Sequence, residues 1–111
     1  MSIENWSDNV ILVNLARQPE TVDELIDVDE LARDRGNCDV VIDCSGVQTL
    51  TALSRSRLIS LRRSLNSVGH ELILCNPSEA TRETLDSTGL ATVLKLANDK
   101  FSALTDLQLS G

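Results

Sequence analysis

Thr51, Ser54 and Ser56 place three hydroxyls within a few residues of two guanidinium groups, Arg55 and Arg57. A hydroxyl at the start of a helix can accept a phosphoryl group. The resulting charge of about −1.5 to −2 is favoured at the positive end of the helix dipole, yet it repels anything docked there. Two arginines in a first helical turn oppose that same dipole, by about 0.3–1 kcal/mol each. In a chain of net charge −7 their placement suits contact with an acidic partner or a bound phosphate, or else serves solubility. Thr51 also suits a helix N-cap, a role that does not preclude modification.

Other reactive side chains lack companions. His70 is the single histidine; it precedes a strand, and no G-x-S-x-G nucleophile motif occurs, so a Ser–His–carboxylate hydrolase is not expected. Asp43 ends a strand, where α/β folds keep their sites, but no second acidic group or lysine stands at the next strand end, Cys75-Asn76. Asp43 is expected to bond the turn amides around Ser45 and Gly46. Cys38, Cys44 and Cys75 are odd in number and lack C-x-x-C spacing, which predicts buried, reduced thiols rather than disulfides or zinc. Cys44 and Cys75 become neighbours if their strands pair. Trp6 covers one end of an aliphatic core or anchors a partner. No glycine-rich phosphate loop is present. Catalytic residues, metal and cofactor are all expected to be none.

The elements that position these groups follow from periodicity. Val10 to Leu15, Asp39 to Cys44 and Glu71 to Cys75 are apolar runs suited to strands covered on both faces. A short edge strand is expected from Ile3 to Trp6, joined to the next by a turn at Ser7-Asp8-Asn9 and therefore antiparallel to it. Thr21-Val22-Asp23-Glu24 has capping-box spacing, predicting a helix from about Val22 to Arg35 with Gly36 as its stop. A stronger helix follows Thr51, with Leu58, Leu61, Leu65 and Val68 inward. Asn76-Pro77-Ser78-Glu79 starts another that runs through Leu85 and stops near Gly89. A further strand is expected over Thr92 to Lys95, then a last helix capped by Asn98 or Asp99, with Phe101, Leu104 and Leu107 inward. Strands alternating with helices imply right-handed crossovers and a mostly parallel sheet.

The length of 111 residues supports a single domain, 1–111, with one modest core. Hydrophobic residues make up 41% of the chain, and Trp6 and Phe101 are its aromatics, so that core must be aliphatic. An isoelectric point near 4.5 makes nucleic acid and anionic lipid poor partners. No apolar run approaches the ~18 residues of a membrane span. The first residues lack a basic, then apolar, leader pattern, and a cytoplasmic location is expected.

Asp43-Cys44-Ser45-Gly46-Val47 is similar to the strand-and-turn D-L-S-G-V of the STAS domain family, named for sulfate transporters and anti-sigma factor antagonists. Asn76-Pro77-Ser78 through Leu85, followed by Thr88-Gly89-Leu90, resembles that family's later helix and its closing a-G-L. The resemblance covers nearly the whole chain and is most detailed from Cys38 to Leu94. It implies an α/β fold with a STAS-like mixed, mostly parallel sheet of four to five strands and about four helices. The family usually continues D-S-S-G-L, in which the first serine accepts phosphate. Without gaps, Thr51 stands at the Asp, Ala52 at the acceptor, Leu53 next and Ser54 at the Gly, while Leu58 meets a later Leu. Ala52 has no hydroxyl to modify.

The resemblance further implies a non-enzymatic regulatory module resembling an anti-sigma factor antagonist. It would dock an anti-sigma factor, typically a serine kinase, through Thr51, Ala52, Leu53, Ser54, Arg55 and Arg57. Binding would free a sigma factor and phosphorylation would end the contact, with Thr51 and then Ser54 as candidate acceptors in place of Ala52. An alternative is a stand-alone STAS subunit of a transporter or signalling scaffold. A small hydrolase or phosphotransferase would need a nucleophile–base pair that the chain does not supply.

Overall fold

A computed structural model of the chain describes residues 2–7, 9–15, 21–36, 38–47 and 50–110. The elements run β1 (Ser2–Ser7), β2 (Val10–Asn14), α1 (Thr21–Arg35), β3 (Asp39–Asp43), α2 (Ala52–Asn66), β4 (Leu72–Cys75), α3 (Glu79–Ser87), a 3-10 turn (Leu90–Thr92), β5 (Lys95–Ala97) and α4 (Lys100–Ser110). The sheet order is β1-β2-β3-β4-β5; β1 is antiparallel to β2 and every other pairing is parallel. The expected STAS-like mixed sheet with four α-helices is what forms.

Register explains why the inner strands are apolar throughout. Leu12, Val41 and Ile73 align across the sheet and pack with Leu104 and Leu107 of α4. Their neighbours Val13, Ile42 and Leu74 point to the other face, against Leu25 and Val28 of α1, Leu58, Leu61 and Leu65 of α2, and Leu85 of α3. Both faces are covered, so alternation with polar residues is lost.

Helix ends follow the local chemistry. Gly36 adopts φ +70 and its N–H donates to the Ala32 carbonyl at 2.9 Å, stopping α1 as expected. The expected capping-box side chains of Thr21 and Glu24, the Trp6 side chain and Asp8 of the first turn lie outside the described residues.

Three expectations are corrected. Thr92 is not in a strand: Gly89 turns left-handed (φ 78), Thr92 Oγ1 donates to the Gly89 carbonyl at 2.8 Å, and a tight turn delays β5 until Lys95. Phe101 is 65% exposed, because Ala103 takes the inward position beside Leu104 and Leu107. Val68 is 61% exposed, since α2 has already ended at Asn66. His70, expected to be exposed or lightly packed, is half-buried, its Nδ1 3.2 Å from Asp39 Oδ1, which also accepts from the Glu71 N–H at 2.8 Å.

Candidate functional site

The loop from β3 to α2 is held at both ends. Asp43 Oδ1 accepts from the Ser45 N–H at 2.9 Å, and the Val47 N–H donates to the Cys44 carbonyl at 2.9 Å. Gly46 passes so close to the end of β2 that an added Cβ would lie 2.8 Å from the Leu15 carbonyl oxygen. Val47 and Leu50 are buried and fasten the loop to the core. Gln48 and Thr49 lie outside the described residues.

Thr51 then caps α2 from an extended conformation (φ −73, ψ 166), its Oγ1 accepting from the Ser54 N–H at 3.1 Å. The same hydroxyl donates to Ser54 Oγ at 3.1 Å. Thr51, Ala52, Leu53, Ser56 and Arg57 are exposed at this tip, Leu53 by 67%. The solvent-facing helix start expected from the sequence is therefore present.

Two of the expected contact residues are placed differently. Ser54 is 0% exposed, so its hydroxyl meets no kinase or partner while the first turn of α2 is intact. The cause is periodic: Ser54 lies on the same inward stripe as Leu58, Leu61 and Leu65. Arg55 is half-buried and folds back, Nη1 donating to the Leu50 carbonyl at 2.9 Å, which relieves its poor position near the helix start.

The cap expected from the Asn76-Pro77-Ser78 start forms at Ser78 and repeats the Thr51 device; what sequence reasoning missed is the second hydroxyl, Thr81, that completes it. After β4, Asn76 takes a left-handed turn (φ 52) and Ser78 caps α3, accepting from the Thr81 N–H at 3.1 Å. Ser78 Oγ donates to Thr81 Oγ1 at 2.9 Å, and Thr81 is fully buried. The signal was a hydroxyl residue three positions after each capping hydroxyl. At the end of β5, Asp99 Oδ1 accepts from the Ser102 N–H at 2.8 Å, confirming Asp99 as the cap of α4. Three helix starts thus share the carboxyl end of the parallel strands.

The remaining candidates do not assemble into a catalytic group. Cys44 and Cys75 lie on paired strands, the Cys44 N–H donating to the Cys75 carbonyl at 2.9 Å. Burial pushes both thiols up to about 12, far from a reactive thiolate at neutral pH. Burial also raises Cys38. His70 sits at the opposite end of the sheet from Thr51, where β3 and β4 begin. A groove of about 750 Å³ beside β5 is lined by residues including Arg62, Glu71, Lys95 and Asp106, but neither His70 nor a thiol reaches it. Among the described residues no group of three His, Cys, Asp or Glu could hold a metal ion, and no helix is long and apolar enough to cross a membrane.

The family model for the STAS domain matches residues 16–103. The chain belongs to the STAS domain family. Three solved structures show the same fold. A protein assigned as an anti-sigma factor antagonist from Thermotoga maritima is 16% identical, with 96% of this chain and 93% of that one covered and a TM-score of 0.81. The anti-sigma factor antagonist SpoIIAA in its unphosphorylated form is 14% identical, covering 96% and 95%, with a TM-score of 0.80. A component of the stressosome, described as a signal integration and transduction hub, is 21% identical, covering 96% of both chains, with a TM-score of 0.74. No curated protein sequence matches this STAS domain.

Proposed function

We propose that this STAS domain is a non-enzymatic regulatory module of the anti-sigma factor antagonist type. It docks a protein partner, an anti-sigma factor with serine kinase character, through the tip of α2. The observation that carries this reading is the exposed set Thr51, Ala52, Leu53 and Arg57 at the start of α2, after a loop fastened by Gly46, Val47 and Leu50. An exposed leucine at a rigidly capped helix start is an anchor that costs little ordering on binding. A cytoplasmic setting accords with such a partner.

In this reading Ala52 removes the family's usual acceptor, and Thr51 is the remaining hydroxyl for a kinase. Phosphate on Thr51 would sit at the positive end of α2 and block the docking face. The test is incubation with the cognate kinase and ATP followed by mass-spectrometric mapping, alongside partner capture by wild type and Leu53→Glu. Capture lost in Leu53→Glu supports the docking surface; capture unchanged refutes it. Modification at Thr51 supports the switch, and its absence leaves an unswitched binder. The likeness to a stressosome component favours a second reading, a subunit of a signalling scaffold. In that case co-purification yields a large assembly instead of a small kinase.

A further inference from the structure

Between Ala52 and Asn66, α2 carries Arg55, Arg57, Arg62 and Arg63 and no acidic residue, in a chain whose net charge is −7. The helix packed beside it, α1, has the opposite character, with Asp23, Glu24, Asp27, Asp29, Glu30 and Asp34 against Arg33 and Arg35. Attraction alone would draw the α2 guanidiniums onto α1. Instead, among the described residues, Arg57, Arg62 and Arg63 have no carboxylate partner.

Arg57 and Arg63 border one stripe of the helix, whereas Arg62 faces the groove beside β5. Leu53, Arg57, Ser60, Ser64 and Ser67 recur at four, three, four and three residues, a stripe of about 21 Å at 1.5 Å per residue. Its lower half opens into a shallow groove of about 370 Å³ lined by Arg33, Ser60, Arg63, Ser64 and Ser67. Arg33 is held there from below: Nη2 lies 3.3 Å from Asp29 Oδ2 and donates to Ser64 Oγ at 3.4 Å. The groove lining holds two guanidiniums and three hydroxyls but no carboxylate. The helix dipole accounts for cations in the last turn, such as Arg63, but not for Arg57 near the positive end. Solubility is already supplied by seventeen acidic residues, and unpaired arginines reduce that net charge.

We infer that the docking surface runs the length of this stripe and that the partner segment lying on it is acidic. Leu53 anchors one end, Arg57 and Arg63 receive carboxylates along it, and the small serines let the partner backbone approach closely. The inference rests on the docking reading for the partner's identity, but the charge preference belongs to the α2 stripe and the Arg33 beside it.

The test is a titration of the full-length, isotope-labelled protein with hexaglutamate, followed by amide shifts. Expected are shifts at Arg33 and along residues 57–67, a midpoint that rises steeply between about 50 and about 500 mM NaCl, and a midpoint raised about tenfold in the Arg57→Ala/Arg63→Ala variant. Arg57→Lys/Arg63→Lys, which keeps both charges, should restore most of the binding. Silence of α2, shifts spread equally over Arg82, Lys95 and Lys100, or the same pattern from inorganic phosphate would overturn the inference. Hexaglutamate silent while Leu53→Glu still abolishes partner capture would refute the acidic stripe alone. The reverse pair of results would refute the docking reading and leave the stripe standing.

Discussion

Thr51 Oγ1 stands 3.1 Å from both the backbone nitrogen and the hydroxyl oxygen of Ser54, so one exposed hydroxyl both caps α2 and satisfies a buried one. The exposed end of this clasp is the only part a partner can reach. Its inner end is part of the core.

Thr51→Ala should therefore cost more than an exposed cap alone, about 1–3 kcal/mol, because the Ser54 hydroxyl is left buried without its donor. Thr51→Ser should lose little. Urea denaturation of Thr51→Ala, Ser54→Ala and the double variant would show non-additivity; additive losses would mean the two hydroxyls act separately.

Ser54→Asp, the usual imitation of a phosphoserine, should unfold or severely weaken the protein rather than mimic a signal. A carboxylate at a fully buried position costs several kcal/mol. A thermal midpoint close to wild type for Ser54→Asp would show that the first turn of α2 opens readily.

Gly46→Ala drives a methyl group to 2.8 Å from the Leu15 carbonyl oxygen, a backbone atom with little freedom to retreat. A loss of about 1–3 kcal/mol is expected, with amide-exchange protection falling first around residues 44–50. Unchanged protection would mean the loop shifts at no cost.

Alkaline stability should reflect Cys44 and Cys75. Burial pushes both folded thiols up to about 12, above the ordinary thiol value of 9.0. Between those limits the unfolded thiols release protons that the folded thiols keep. The unfolded state then binds fewer protons, and stability falls as pH rises from about 9 towards about 12. Cys44→Ala/Cys75→Ala should flatten that slope in denaturant titrations, and native Cys44 should resist iodoacetamide at neutral pH.

Leu53→Glu should leave the unfolding free energy within about 0.5 kcal/mol of wild type, since the side chain is largely solvated. A large destabilisation would mean that Leu53 supports the fold rather than faces a partner.

Much of this architecture was legible because the apolar runs at Val10, Asp39 and Glu71 are unbroken, and because Gly36, Thr51 and Gly89 mark helix ends. The position of β5 was not legible: Thr92-Val93-Leu94 has strand composition, and only the hydrogen bonds to Gly89 and Leu90 reveal a tight turn. Phe101 misled because aromatic residues favour cores, whereas here Lys100 Nζ lies 5.9 Å from the ring centroid and the ring faces outward. At the α2 tip, position was readable and depth was not. The 54-58-61-65 spacing carried the burial of Ser54, but a serine does not register in a search for apolar periodicity.

The antiparallel β1 has a consequence for handling the protein. It supplies a hydrogen-bonded border to β2, the apolar Val10-Ile11-Leu12-Val13 strand, and its own sequence is more polar, with Ser2, Glu4, Asn5 and Ser7 around Ile3 and Trp6. A truncation starting at Val10 would leave that greasy strand as a raw seam, inviting copies to zip together into aggregates.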